Sequence, residues 1–298
     1  TNPNGGHELA GSLALPNQKA AYAIILLSGS GPSTRDADAF GHKSFLVLSD
    51  LLARQGIAVL RFDDRGVGKS TGNHQLATSL DFATDASAAV TFIRQHKELS
   101  LSKVGFAGHS EGGLIATVAA ANGADIDFIV SLAGPGTSGQ QILVDQSYEI
   151  QRLMGVPKEA LAQSDKIQKQ ILRAVAQDKS HTELRQMMLA AGMSQQQVSQ
   201  QLTQISTPWF RTFVKTDPAP YMQKVQVPVL ALNGGKDVQV LAQPNIAGFK
   251  KHLRPNLLTA KIYDNLNHLF QPATTGLPNE YAQIRTTFSP QVAEDIVA

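Results

Sequence analysis

The chain has no cysteine, which excludes disulfide bridges, thiolate metal sites and a cysteine nucleophile. It leaves the redox compartment open. An excess of either charge is lacking as well. Lys and Arg number 26 against 24 Asp and Glu, the net charge is +2, and no basic block occurs. Nucleic-acid binding calls for a clustered positive footprint, so no nucleic-acid partner is expected. No apolar run reaches the length of a membrane span, so no membrane partner is expected either. AYAIILLSGS is apolar but short, is closed by Gly and Ser, and reads as a buried strand. There is no initiator methionine at Thr1, which fits a processed mature chain or a trimmed one, with no signal peptide left to read. Internal repeats are absent. Neither oligomeric state nor compartment can be read from these features.

What is present suits a large globular chain. Its 298 residues are 42% hydrophobic and 17% charged, enough for a sizeable core. The first half alternates strands and helices. HELAGSLAL (His7–Leu15) alternates in polarity like a half-exposed strand, and AYAIILLS (Ala21–Ser28) is a buried one. SFLVLSDLLARQ (Ser44–Gln55) has helical spacing and stops at Gly56; GIAVLRFD is the next buried strand. An amphipathic helix over Ser79–His96, a short strand KVGFAG (Lys103–Gly108), a small-residue helix ending at Gly123 and a strand FIVSLAG (Phe128–Gly134) follow. This rhythm predicts an α/β fold with a mostly parallel sheet covered on both faces.

The rhythm breaks after Gly134. From about Ser138 to Ala219 the chain is glutamine-rich and helical in pattern, with Pro157 as a helix start. VPVLALNGG (Val227–Gly235) resumes as a strand, QPNIAGFKKHL follows as a helix, and Leu258–Asp264 is a last strand. SPQVAEDIVA closes the chain as a helix, with Ser289 placed to cap it and Pro290 at its first position. The expected organisation is a core of residues 1–137 and 220–298 with a helical insertion, 138–219, that is not an independent domain.

FDDRGVGKST (Phe62–Thr71) looks like the end of a phosphate-binding loop. The motif needs a glycine five positions before its last one, and that position is Asp63. A carboxylate there, with Asp64 beside it, repels phosphate. The stretch follows a parallel strand on the same sheet edge as the motifs below. The expectation is that it shapes the wall or the supporting hydrogen bonds of a site, with Arg65 paired to Asp63 or Asp64; a solvated charged turn is the alternative.

GHSEGG (Gly108–Gly113) contains G-x-S-x-G with a strand before it and a helix after it. A nucleophile elbow is a sharp turn that projects a serine hydroxyl from the sheet edge, and glycines two before and two after the serine let the backbones approach. Ser110 is therefore the candidate nucleophile; a plain β–α turn is the alternative. A serine hydroxyl needs a base, and the base an orienting carboxylate. With chain order Ser, acid, His, His268 in NLNHLF is the one histidine beyond the last strand. His7, His42, His74 and His96 come too early, His109 lies inside the elbow, His181 lies in the helical insertion, and His252 ends a helix before that strand. The acid expected after the preceding strand is Asp237 in NGGKDVQV. Asp264 is a rival at the end of the last strand, and Asp217 precedes the relevant strand. An oxyanion hole needs two backbone amides. Glu111, the residue after the nucleophile, gives one, and Ser30 in SGSGP (Ser28–Pro32) gives the other; an ordinary Gly-Ser turn is the competing reading.

GSGPSTRD, GHKSFLVLSDLLARQGIAVLRFDDRGVGKSTG, GHSEGG, LAGPG, NGGKDVQV and NLNHLFQPATTG together resemble the α/β-hydrolase superfamily. The likeness is to its bacterial carboxylesterases of the EstD type, grouped with serine aminopeptidase-like hydrolases, and covers most of the chain outside the insertion. The resemblance implies a Ser110–Asp237–His268 triad, no cofactor, no metal, cleavage of short to medium acyl esters as small-molecule substrates, and relatives that are often exported. The insertion becomes a lid. One departure is Ser28-Gly29, where many such enzymes carry His-Gly. Within the insertion LMGV, QMML and WFRTF (Trp209–Phe213) either line an acyl pocket or pack the lid itself, the second being the preferred reading. A serine carboxylesterase is the leading expectation. A serine peptidase on small peptides is the alternative, with Glu111 available to hold a substrate amine or else facing water. A catalytically inactive binding module on the same fold stands third, and the ordered set of three partners speaks against it.

Overall fold

The computed structural model describes residues 1–96, 99 and 101–298. A seven-stranded sheet runs through it, built from β1 (Gly11–Ala14), β2 (Tyr22–Leu27), β5 (Ile57–Phe62), β6 (Lys103–His109), β7 (Phe128–Leu132), β8 (Val229–Gly234) and β9 (Leu258–Tyr263). The spatial order is β1-β5-β2-β6-β7-β8-β9. Only β1 runs antiparallel, pairing Leu13 with Leu60. Every other neighbour is parallel, for example Ile24 with Val59, Leu26 with Ala107 and Leu232 with Lys261. A small hairpin of β3 (Asp38–Ala39) and β4 (His42–Lys43) leads into α1 (Ser44–Arg54).

Alternation along β2 divides the core. Ala23, Ile25 and Leu27 point into one cluster with α2 (Ser79–Arg94), α3 (Glu111–Ala121) and α10 (Ala242–His252). Ile24 and Leu26 point into the other, with Phe45, Leu48 and Leu52 of α1 and Val292 of α11 (Pro290–Val297). A strand sends successive side chains to opposite faces, so an all-apolar run such as YAIILL requires cover on both sides. Thr78 caps α2 in a reciprocal box with Asp81.

Six helices follow one another between β7 and β8: α4 (Gly139–Leu153), α5 (Lys158–Ala176), α6 (His181–Ala190), α7 (Gln195–Ile205), α8 (Pro208–Lys215) and α9 (Ala219–Met222). The side chains of Ser138, Ser180, Ser194 and Thr207 cap four of them, and Pro157 precedes α5. Their apolar faces form a third cluster that includes Leu172, Val175, Leu184, Met188, Val198 and Phe210.

Two local expectations need correction. The first strand covers Gly11–Ala14 only, because β1 is an edge strand with one partner and His7 turns away to bond Asp85. Ser289 stands at the start of α11, but its hydroxyl makes no cap bond; its N–H donates to the Phe270 carbonyl at 3.0 Å.

Candidate active site

The C-terminal ends of the six parallel strands β2, β5, β6, β7, β8 and β9 lie on one edge, where ligands bind in open parallel sheets. At the end of β6 the chain turns directly into α3. Ser110 stands between them at φ 54°, ψ −124°, in the left-handed half of backbone space, where a non-glycine residue is strained. Its N–H is tied to the Leu132 carbonyl at 2.8 Å and its carbonyl accepts from Gly113 N–H at 2.9 Å. The flanking glycines are a steric requirement. A Cβ on Gly108 would strike the Gly112 carbonyl, and one on Gly112 would strike the carbonyl of Leu27.

His268 and Asp237 come together from the two loops beyond. His268 Nδ1 lies 2.7 Å from Asp237 Oδ2, and both side chains are almost fully buried. The other carboxylate oxygen of Asp237 accepts the N–H groups of Gln239 and Val240 at 2.8 and 2.9 Å. Asp237 is thus an acceptor on both oxygens, and Nδ1 of His268 carries the proton between them. The His268 turn is organised by Asn267, whose Oδ1 accepts from Leu269 and Gln271 N–H. Ser110, His268, Ser30, His109 and Gly29 line one cavity of about 370 Å³, whose lining also includes the apolar Phe45, Leu132 and Phe288. Among the described residues no hydrogen bond joins Ser110 to His268, a contact that often tightens only with substrate.

The rivals stay apart. Asp264 is exposed and no hydrogen bond of its side chain is present among the described residues. Asp217 caps the start of α9 through the Ala219 N–H. Ser30 is exposed at the cavity, and neither its N–H nor that of Glu111 has a hydrogen-bond partner among the described residues.

Phe62–Thr71 is a supporting structure. No helix begins at Lys69 as a phosphate loop requires; α2 starts only at Ser79. Arg65 pairs with neither Asp63 nor Asp64, contrary to expectation. Its Nε donates to Asp85 at 2.6 Å, and Asp85 also takes His7 Nε2 and Asn2 Nδ2. The guanidinium of Arg35 grips Asp63 with two hydrogen bonds, at 3.0 and 2.7 Å. That grip, helped by the N–H groups of Lys69 and Arg35, holds the Asp63 carboxyl down at about 2. Asp64 faces the other way. It accepts the Ser28 hydroxyl at 2.6 Å and the Ser33 N–H at 2.8 Å, and so clamps both ends of the loop that carries Ser30. Burial pushes the Asp64 carboxyl up to about 7, with the negative charges of Glu111 and Asp85 adding to the rise. Asp63, Asp64 and Arg65 are therefore buried and paired, while Gly66, Gly68 and Lys69 beyond them are exposed.

Glu111 likewise departs from both sequence readings of its side chain. It faces neither water nor the cavity. The carboxylate is buried and accepts from the Ser79 hydroxyl and the Trp209 indole. Trp209 in turn does not line the Ser110 cavity; it stacks on Phe213 at 5.3 Å, while Phe210 and Phe213 are buried. WFRTF is packing, as preferred. Sequence reasoning placed Asp64 in a stretch expected to give supporting hydrogen bonds, without its partners, and gave no place in the site to His109, Asn267 or the Trp209 N–H. The only signal for Asp64 was its place just past a strand on the active edge. Among the described residues no group of three or more His, Asp and Glu is placed to hold a metal ion.

The sheet, its strand order and the strand–Ser110–helix turn define the α/β-hydrolase fold. Residues 42–271 match the family model described as "Serine aminopeptidase, S33", and the chain belongs to that family. The chain is 24% identical over 262 residues to Esterase EstD of Thermotoga maritima, an alignment that covers 88% of this chain and 58% of that protein. Thus the chain spans less than two thirds of this relative's length. Est1E of Butyrivibrio proteoclasticus, solved with ferulic acid bound, superposes with TM-score 0.55 at 18% identity, covering 88% of each chain. The α/β hydrolase GrgF from Penicillium sp. sh18 gives 0.56 at 17%, covering 88% of this chain and 86% of its own. No helix among the described residues is long and apolar enough to cross a membrane.

Proposed function

We propose that this chain is a serine carboxylesterase in which Ser110 is the nucleophile, His268 the general base and Asp237 the residue that orients it. The observation that carries the reading is the 2.7 Å His268 Nδ1–Asp237 bond in the cavity that a strained, positive-φ Ser110 also lines. The Asp237 bond keeps the proton on Nδ1 and leaves Nε2 free to accept one. Ser110 Oγ attacks the ester carbonyl carbon while its proton passes to His268 Nε2. The carbonyl electron pair moves to oxygen, and the N–H groups of Ser30 and Glu111 hold that oxyanion. Collapse expels the alkoxide, which takes the proton from His268 and leaves an acyl group on Ser110. Water repeats the sequence, releasing the acid and restoring the serine. Each oxyanion donor contributes about 3 kcal/mol to such a transition state.

The substrate proposed is a small acyl ester. A cavity of about 370 Å³ is at the low end for small-molecule sites, and its apolar lining by Phe45, Leu132 and Phe288 suits a short or medium acyl chain. The helices over 138–219 are proposed as a cap on the core of 1–137 and 220–298. The buried, fully bonded Glu111 carboxylate is not free to hold a substrate amine, which favours esters over peptides.

Labelling with a fluorophosphonate probe tests the reading. We expect one adduct, on Ser110, and none after Ser110→Ala. Parent-rate hydrolysis of p-nitrophenyl acetate by that alanine variant would sink it. Matched ester and amide substrates test the second part, and a faster amide would point to the peptidase.

A further inference from the structure

Glu111 is a buried carboxyl group in a place that gives it no cation. Its side chain is 3% exposed, and no Lys, Arg or His bridges to it among the described residues. Three neutral hydrogen bonds stand in. The Ser79 hydroxyl donates to Oε1 at 2.6 Å, and Trp209 Nε1–H is shared between Oε1 at 2.8 Å and Oε2 at 2.9 Å. Ser79, Glu111 and Trp209 lie in the first turns of α2, α3 and α8, where helix amide ends favour negative charge. All three bonds are accepted by the carboxylate. The Trp209 N–H can only donate, so Glu111 accepts from it in either protonation state, whereas the Ser79 hydroxyl can donate to the carboxylate or accept from the acid.

The bond spans two layers. Trp209 is on α8, whose Phe210 and Val214 pack in the helical cluster between β7 and β8, whereas Glu111 follows Ser110 on the sheet edge. Trp209 does not line the Ser110 cavity, so it reaches the site through this bond and not through substrate.

We propose that Trp209 is a positioning residue for the oxyanion hole: its indole N–H, carried by the helical layer, fixes the Glu111 side chain and with it the Glu111 backbone N–H beside Ser110. The proposal rests on the serine-esterase reading above. Movement of the helical layer then alters the donor geometry directly. A catalytic donor must be held within about 0.5 Å of its productive place, so a small displacement is felt in turnover.

The test is Trp209→Phe, which keeps an aromatic ring to stack on Phe213 and removes the N–H together with the volume of the second ring; the double variant with Glu111→Gln separates the two effects. With p-nitrophenyl butyrate we expect kcat to fall about 10- to 30-fold with KM changed less than about threefold, part of the loss known for deleting a donor outright. The variant-to-parent ratio should recover toward low pH, because protonating Glu111 relieves its unpaired charge; burial already raises its pKa, and the Trp209 bond is one of the two that lower it. In a Glu111→Gln background the same substitution should cost less than about twofold, since no buried charge loses its donor. Equal costs in both backgrounds, a pH-independent ratio, or a KM effect with kcat untouched would overturn the proposal. Trp209 is the chain's one tryptophan, so its emission reads the bond in the unaltered protein even if the variant fails to fold. Phosphonylation of Ser110, which places an oxyanion mimic on the hole, should shift that emission; an unchanged spectrum in a fully labelled sample overturns the proposal. Absence of labelling in the parent would instead sink the site reading itself.

Discussion

His109 Nε2 lies 2.8 Å from the main-chain carbonyl of His268, and the two imidazoles sit 4.7 Å apart. A carbonyl can only accept, so the proton is on His109 Nε2. Burial, with His268 as a second cause, pushes the His109 pKa down to about 3, so the ring is neutral at neutral pH. The residue before Ser110 thus steadies the turn that carries His268, the proposed base.

His109→Phe should therefore lower kcat/KM about tenfold, the equivalent of about 1.4 kcal/mol of lost positioning. The acid limb of the pH–rate profile should keep its midpoint, because His109 does not titrate there. A shifted midpoint would mean that His109, and not His268, sets that limb.

The two aspartates near the last strands can be separated by kinetics. Asp237→Asn should reduce kcat by about 10⁴, because the Nδ1 proton loses its acceptor and the ring takes the wrong tautomer. Asp264→Asn, on an exposed residue, should change kcat by less than about twofold. Comparable losses in both variants would reverse the assignment.

Asp64 makes stability depend on pH. Its folded pKa, about 7, is above the ordinary carboxylate value of 3.8, so the folded state holds a proton that the unfolded chain has released. Stability should then be highest below about pH 4 as far as this group is concerned, and should fall as pH rises from about 4 to about 7. Asp64→Asn should flatten that stretch by up to about 1.4 kcal/mol per pH unit, read from denaturant unfolding at several pH values. It should also loosen the Ser28–Ser33 clamp and lower kcat. An unchanged slope would show that Asp64 is ionised throughout.

Asp85 is the acceptor for Arg65, His7 and Asn2, all three buried. Asp85→Ala leaves the Arg65 charge unpaired in the interior and should cost about 3–5 kcal/mol of stability. Replacing exposed Asp50, which pairs with Arg54 at the surface, should cost less than about 1 kcal/mol. Similar unfolding midpoints for the two variants would contradict the buried network.

Along p-nitrophenyl esters from acetate to palmitate, kcat/KM should rise and then fall. Each methylene that fits adds up to about 0.8 kcal/mol, and those beyond the cavity add nothing or clash. A monotonic rise to palmitate would overturn the short-acyl proposal.

Much of this molecule was written locally. Gly108 and Gly112 flank a turn that no Cβ could enter, so G-x-S-x-G between a strand and a helix can be read from spacing alone. YAIILL and IAVL are apolar on both faces, so their burial in a parallel sheet is equally legible. The same rhythm sets Asp237 and His268 after successive strands, although only the folded chain shows the strand order and the 2.7 Å between them. Partner choice was not legible. Arg65, Asp63 and Asp64 are adjacent in sequence, yet they bond to Asp85, Arg35 and the Ser28–Ser33 loop. Trp209 meets Glu111 across 98 positions. A buried charge takes whichever donors packing brings within about 3 Å, and that proximity is a property of layered helices and sheet, with no trace in the spacing of residues along the chain.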